Sequence, residues 1–135
     1  MAARRPASEV NFVAIGCILL ADALEEVAET LEAYDPAGLE PAIALTDWLY
    51  AYYETMADDP PEEAIAMPPV EEISSLGHHP VTIMVVADLL DEVSSMMRAH
   101  ALTPGATSSI IAARGAEALV LRLREAAGPV PRIDE

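Results

Sequence analysis

The stretch Leu20-Ala-Asp-Ala-Leu-Glu-Glu-Val27 returns 66 residues later as Val86-Ala-Asp-Leu-Leu-Asp-Glu-Val93, with its carboxylates in the same places. At about 100° per residue, Val13, Leu20, Leu24, Val27 and Leu31 fall within about 40° of one direction on a helix. Asp22, Glu25, Glu26, Glu29 and Glu32 gather on the opposite side. The second copy repeats the pattern, with Val86, Leu90, Val93 and Met97 as the apolar stripe and Asp88, Asp91 and Glu92 opposing it. Each copy reads as an amphipathic helix with a core seam and an acidic outer face. The copies differ further along, since Glu26 and Glu29 have Glu92 and Ser95 as counterparts.

Punctuation around these stretches sets the order of elements. Ser8 can cap a helix running from about Glu9 to Tyr34, which Asp35-Pro36-Ala37-Gly38 stops. A second helix from about Glu40 to Ala57 carries Pro41 in its first turn, where proline is tolerated, and ends at Asp58-Asp59-Pro60-Pro61. The segment 58–80 contains Pro60, Pro61, Pro68, Pro69 and Pro80, and has room for at most short helical turns at 62–66 and 70–76. Ile65, Met67, Val70, Ile73 and Leu76 make it too apolar for a solvated linker, so it is expected to lie along the other helices. A third helix runs from about Val81 to Leu102 before Thr103-Pro104-Gly105, and a fourth from behind Thr107 or Ser108 to about Ala127. Val81-Thr-Ile-Met-Val-Val86 is rich in β-branched residues but flows without a break into the helical pattern that follows, so it is read as helix. The expected fold is all-α: a four-helix bundle made of two helical hairpins, 9–57 and 81–127, joined by a Pro-rich crossover, 58–80, with a tail, 128–135. A chain of 135 residues that is 53% apolar suits a single domain, 1–135.

The first turns of helices one and three depart from this amphipathic pattern. Ile15, Ile18 and Leu19 occupy the side that acids take later, and Ile83, Met84 and Val85 repeat this in the third helix. A helix apolar on every side must be covered by neighbours. Either the crossover covers it, or a homodimer interface forms around residues 12–20 and 81–86, with Ile15, Ile18, Leu19 and Met84 at its centre.

Charge is the most unusual property of the composition. The chain holds 23 acids and 7 bases for a net charge of -16, and every base is Arg. Between residues 6 and 97 stand 19 acids and no base. Self-repulsion of this size opposes the compact state unless salt, cations or a basic partner offset it. The acidity reads either as the habit of an acidic or salt-adapted proteome or as a surface used against a basic partner. Direct nucleic-acid binding through phosphates is disfavoured in both cases.

Cys17 is the only cysteine, which excludes an intramolecular disulfide and favours a buried apolar role. Arg4-Arg5 followed by Phe12-Val-Ala-Ile-Gly-Cys-Ile-Leu-Leu20 imitates a signal sequence, but Glu9 and Asn11 interrupt the approach and no small-residue cleavage site follows. No run approaches the roughly 20 apolar residues of a membrane span. The expected location is cytoplasmic, without membrane attachment.

Complete catalytic constellations are absent from the sequence. It has no Glu-x-x-His pair and no Gly-rich phosphate loop; His78 and His79 are neighbours before Pro80, and His100 stands near a helix end. Trp48, Tyr50, Tyr52 and Tyr53 cluster on the second helix, where a core or interface patch is expected rather than a base-stacking platform.

Leu24-Glu-Glu-Val-Ala-Glu-Thr-Leu31, with Ala44-Leu-Thr-Asp-Trp-Leu-Tyr50 after a short turn, resembles the paired helices of the all-α NTP pyrophosphatases, the MazG-like superfamily, over residues 20–53. That family pairs Glu-x-x-Glu on one helix with Glu-x-x-Asp on the next to hold Mg²⁺ for cleavage of a nucleoside triphosphate to its monophosphate. The resemblance implies Glu26, Glu29 and Asp47 as metal ligands, with Ala44 standing where the third acid belongs. Mg²⁺ prefers octahedral oxygen ligands, so the lost carboxylate must be replaced, for instance by Glu25 or Glu40, for the site to work.

The leading expectation is a non-enzymatic acidic helical protein that binds another macromolecule, such as a basic protein. Adaptor, phage accessory protein and nucleic-acid-mimicking inhibitor are its concrete forms. Asp22, Glu25, Glu32, Asp88, Asp91 and Glu92 are the expected interaction residues. No cofactor is expected on that reading. The alternative is a Mg-dependent pyrophosphatase of the MazG-like type, or an inactive relative of it.

Overall fold

The computed structural model of the chain describes residues 11–61, 64–100 and 107–128. They form five helices and, among the described residues, no strand: α1 (Phe12–Tyr34), α2 (Glu40–Asp58), α3 (Val70–Ser74), α4 (Pro80–His100) and α5 (Thr107–Ala127). Val81 to Val86 is helical, as its continuity with the next turns requires.

Capping residues explain most of the boundaries. The first helix starts at Phe12 rather than Glu9, because Asn11 leaves the helical region at φ −89°, ψ 96° and its side chain accepts the Ala14 N–H at 3.0 Å. Ser8, the expected cap, lies outside the described residues. Asp35 ends α1, and its carboxylate accepts the Gly38 N–H at 3.0 Å to close the turn into α2. Before α4, the Nδ1 of His79 accepts the Val81 N–H at 3.1 Å while Pro80 takes the first helical position, so His79 acts as the helix cap. The α5 helix closes at Gly128, whose φ of +68° lets its N–H reach the carbonyls of Arg124 and Glu125.

Between α2 and α4 only α3 is helical, and it fills the first part of the expected 70–76 turn. Residues 64–66 are not helical, and the rest of the expected 62–66 turn lies outside the described residues. Pro68 and Pro69 bar a helix there, and the segment is held instead through the Ile65 side chain and its backbone carbonyls. Ile65 lies over Gly16 and Gly115, Tyr53 donates its hydroxyl proton to the Ala66 carbonyl at 3.0 Å, and Arg122 donates to the Pro68 carbonyl at 2.7 Å.

Packing follows the apolar stripes. Val13, Leu20, Leu24, Val27 and Leu31 are all buried, as are Val86 and Leu90, while Val93 and Met97 are half-buried. One contiguous cluster of buried side chains draws on all five helices, with Tyr53 its largest fully buried member. Helices α1 and α2 pack together, as do α4 and α5, α1 and α5, and α3 and α5, with lesser contacts of α4 to α1 and α2. Gly16 meets Ile111 and Leu20 meets Gly115, so α1 and α5 run in the same direction. Arg98 reaches Glu117 and Arg124 reaches Asp88, so α4 and α5 run oppositely. Among the described residues no helix is long and apolar enough to cross a membrane.

Candidate functional site

Of the residues expected at a homodimer interface, Ile15 and Ile18 are exposed, 37% and 49%, whereas Leu19 and Met84 are half-buried. Phe12, at 44% exposed, extends the apolar surface at the start of α1. Gly16 and Cys17, between these residues, face inward and are buried. Burial raises the Cys17 thiol pKa, in keeping with a packing role.

Both acidic faces project outward, but they are not equivalent. Asp22, Glu25, Glu26, Glu29 and Glu32 on α1 are exposed, and among the described residues no Arg forms an ion pair with them. On α4, Asp88, Asp91 and Glu92 are also exposed, yet Arg124 of α5 lies 3.3 Å from Asp88 Oδ1 and 3.4 Å from Asp91 Oδ2. Among the described residues, Arg therefore partly neutralises the repeated carboxylates of the second copy and not those of the first. Arg98, the first residue after the base-free stretch, makes a two-pronged pair with Glu117, and its guanidinium holds the Glu117 carboxyl below the usual range.

The three residues implied as metal ligands lie on two helices, α1 and α2. Glu26 and Glu29 lie one turn apart on α1, Asp47 stands on α2, and all three are exposed. Ala44, at the position of the missing acid, is exposed as well. Among the described residues, no three His, Cys, Asp or Glu side chains gather into a set that could hold a metal ion.

The aromatic cluster on α2 resolves into two environments. Tyr53 is fully buried, and desolvation drives its pKa far above the ordinary tyrosine value. Tyr52 packs edge-on against Tyr53, with ring centroids 5.1 Å apart, and stacks on Trp48 at 5.7 Å and 28°. Tyr50, on the side nearer α1, donates its hydroxyl proton to Glu54 Oε2 at 2.9 Å; that bond heads the causes raising its pKa, to which Glu25 and Asp22 also contribute.

Trp48 and Tyr52 form part of an open groove of about 530 Å³ with Ala51, Thr55, Met56, Asp59 and Glu72. Positions 48, 52, 55, 56 and 59 follow helical spacing, so α2 alone supplies one wall, and Glu72 of α3 faces it. Tyr52 shows both influences: burial raises its pKa most, the Glu72 carboxylate adds to the rise, and Arg122 opposes it. The aromatic half of this groove was visible in the sequence as the Trp48 to Tyr53 cluster. Asp59 could have been found eleven residues from Trp48 on the same helical face, but Glu72 could not, because its position depends on the path of residues 59–70. The chain matches no protein-family model, no curated protein and no solved structure.

Proposed function

We propose that this chain works by binding a basic protein, with α1 and the outer side of α2 as the acidic contact surface. The observation that carries the reading is the open carboxylate row of α1, set against the Arg124-neutralised row of α4. Exposed like charges in one row repel one another, and a partner carrying Lys or Arg offsets that repulsion. Carboxylates on successive helix turns lie roughly 6 Å apart, so one basic segment can engage several of them. Glu25, Glu29 and Glu32 supply the row on α1, and Asp47, Glu54 and Asp58 lie within about 40° of one another on α2.

The architecture behind this surface is read as one domain, a four-helix bundle of two hairpins with residues 58–80 as a lengthwise crossover. The shared direction of α1 and α5, together with the contacts of Ile65, Ala66 and Pro68, supports that path. A second copy of the chain is proposed to cover Phe12, Ile15 and Ile18.

The test is anisotropy of a fluorescently labelled hexa-arginine peptide titrated with the full chain at low and high salt. Affinity is expected to fall as salt rises, and Glu25→Gln, Glu29→Gln and Glu32→Gln are each expected to weaken it about 1.5- to 5-fold. Affinity independent of salt and of all three substitutions would remove the reading.

A further inference from the structure

The geometry points to the groove between α2 and α3 as the pocket that holds an arginine side chain of the basic partner. This deepens the proposed reading and rests on it, since it names the place where one side chain of that partner docks. Trp48 and Tyr52 line the groove as a stacked pair, and aromatic faces attract a cation placed over them, Trp most strongly. Asp59 and Glu72 line the same groove and no base does, so the charge on its walls is wholly negative. The groove also lies beside the last turn of α2, where no basic residue offsets the negative end of the helix dipole.

Arginine fits this combination better than lysine. Its flat guanidinium stacks on an aromatic ring and still directs N–H groups in the ring plane toward carboxylates, whereas an ammonium is a hydrated point charge. The volume of about 530 Å³ falls within the range of about 300–1,000 Å³ typical of ligand sites, so residues flanking the arginine can enter as well. The platform is preorganised, because Tyr52 rests on Tyr53, which is buried and bonded to the Ala66 carbonyl. Arg122, the cation felt by Tyr52, does not line the groove and is engaged by the Pro68 carbonyl.

Trp48 is the only tryptophan, so its fluorescence reports this groove directly. Unlabelled hexa-arginine is titrated into the full chain while Trp48 emission is followed, beside the anisotropy titration of the labelled peptide. A saturable change in Trp48 emission is expected, and the Asp59→Asn/Glu72→Gln double variant is expected to weaken the affinity it reports about fivefold. Both carboxylates are exposed, so the double variant should keep the parent's circular dichroism and unfolding temperature. A rise in anisotropy with Trp48 silent, or a Trp48 response unaffected in the folded double variant, overturns the groove and leaves the acidic-surface reading standing. No rise in anisotropy at all removes that reading and the groove with it. Hexa-lysine producing the same Trp48 response at the same concentration overturns the assignment to arginine.

Discussion

Gly16→Ala probes a close approach between α1 and α5. A methyl group at Gly16 would lie 2.8 Å from Ile111 Cγ2 and 3.4 Å from both Ile111 Cβ and Ile65 Cδ1. Carbon atoms in contact sit about 3.5–4.0 Å apart, so the nearest pair is short by about 0.7 Å. Ile111 branches at Cβ and holds one χ1 well in a helix, which leaves Cγ2 little freedom to retreat. Relief therefore requires the helices to move apart, and overpacking of this kind costs about 1–3 kcal/mol. Against it stands the better helix propensity of Ala over Gly, about 0.8–1.0 kcal/mol. The net expectation is a loss of about 1 kcal/mol, or roughly 4 °C in Tm for a chain of this size. Urea and thermal unfolding followed by circular dichroism measure it, with an unchanged urea m value as the control for an intact two-state transition. In an Ile111→Ala background the obstructing methyl is gone, and Gly16→Ala should then stabilise by about the propensity gain alone. A Gly16→Ala variant that stabilises equally in both backgrounds would refute the close-approach argument.

Two further outcomes are expected. The folded-state pKa of Tyr53 is raised far above its unfolded value by burial, so above about pH 10 the unfolded chain loses a proton that the native chain keeps. Stability should fall with increasing pH there by about 1.4 kcal/mol per pH unit from this residue, and Tyr53→Phe should flatten that limb in urea titrations at stepped alkaline pH. The exposed apolar surface at Phe12, Ile15 and Ile18 is proposed to be covered by a second copy, so light scattering should report a dimer that Ile18→Glu converts to monomer. A monomer before and after the substitution would exclude that interface.

The amphipathic stripe was the most legible feature because it depends only on helix periodicity, and the burial of Val13 to Leu31 on one face of α1 follows from it directly. Prolines and Asx residues placed the α2 boundaries and the turn after Tyr34 for the same local reason. The start of α1 was less legible, since Ser8 and Asn11 are both competent caps and only the observed dihedral angles at Asn11 choose between them. The acidic faces were legible as faces but not as electrostatic environments. Arg124 lies 36 residues from Asp88 in sequence, and only the packing of α5 on α4 brings them together. Likewise, helical spacing could align Asp59 with Trp48, while the opposing Glu72 depends on residues 59–70, where prolines remove regular periodicity.

The arginines of α5 serve one copy of the repeat and not the other. Arg124 turns toward α4 and its carboxylates, whereas Arg114 and Arg122 turn toward the 64–68 segment, Arg114 lining a cavity with Ile65 and Arg122 bonding to Pro68. The described arginines of α5 are thus directed at the elements flanking it on either side, and the outer face of α1 receives none. The hairpin of α1 and α2 carries 10 acids and no base between residues 12 and 58. Its apolar seam is buried well enough to hold the two helices together despite that repulsion, as Leu20, Leu24, Leu45 and Leu49 at 0% exposure attest. Part of the stability from this core is therefore set against like-charge repulsion on the opposite surface, which no α5 arginine relieves. A cationic partner binding the folded hairpin would lower that repulsion, so its binding free energy would add to folding stability.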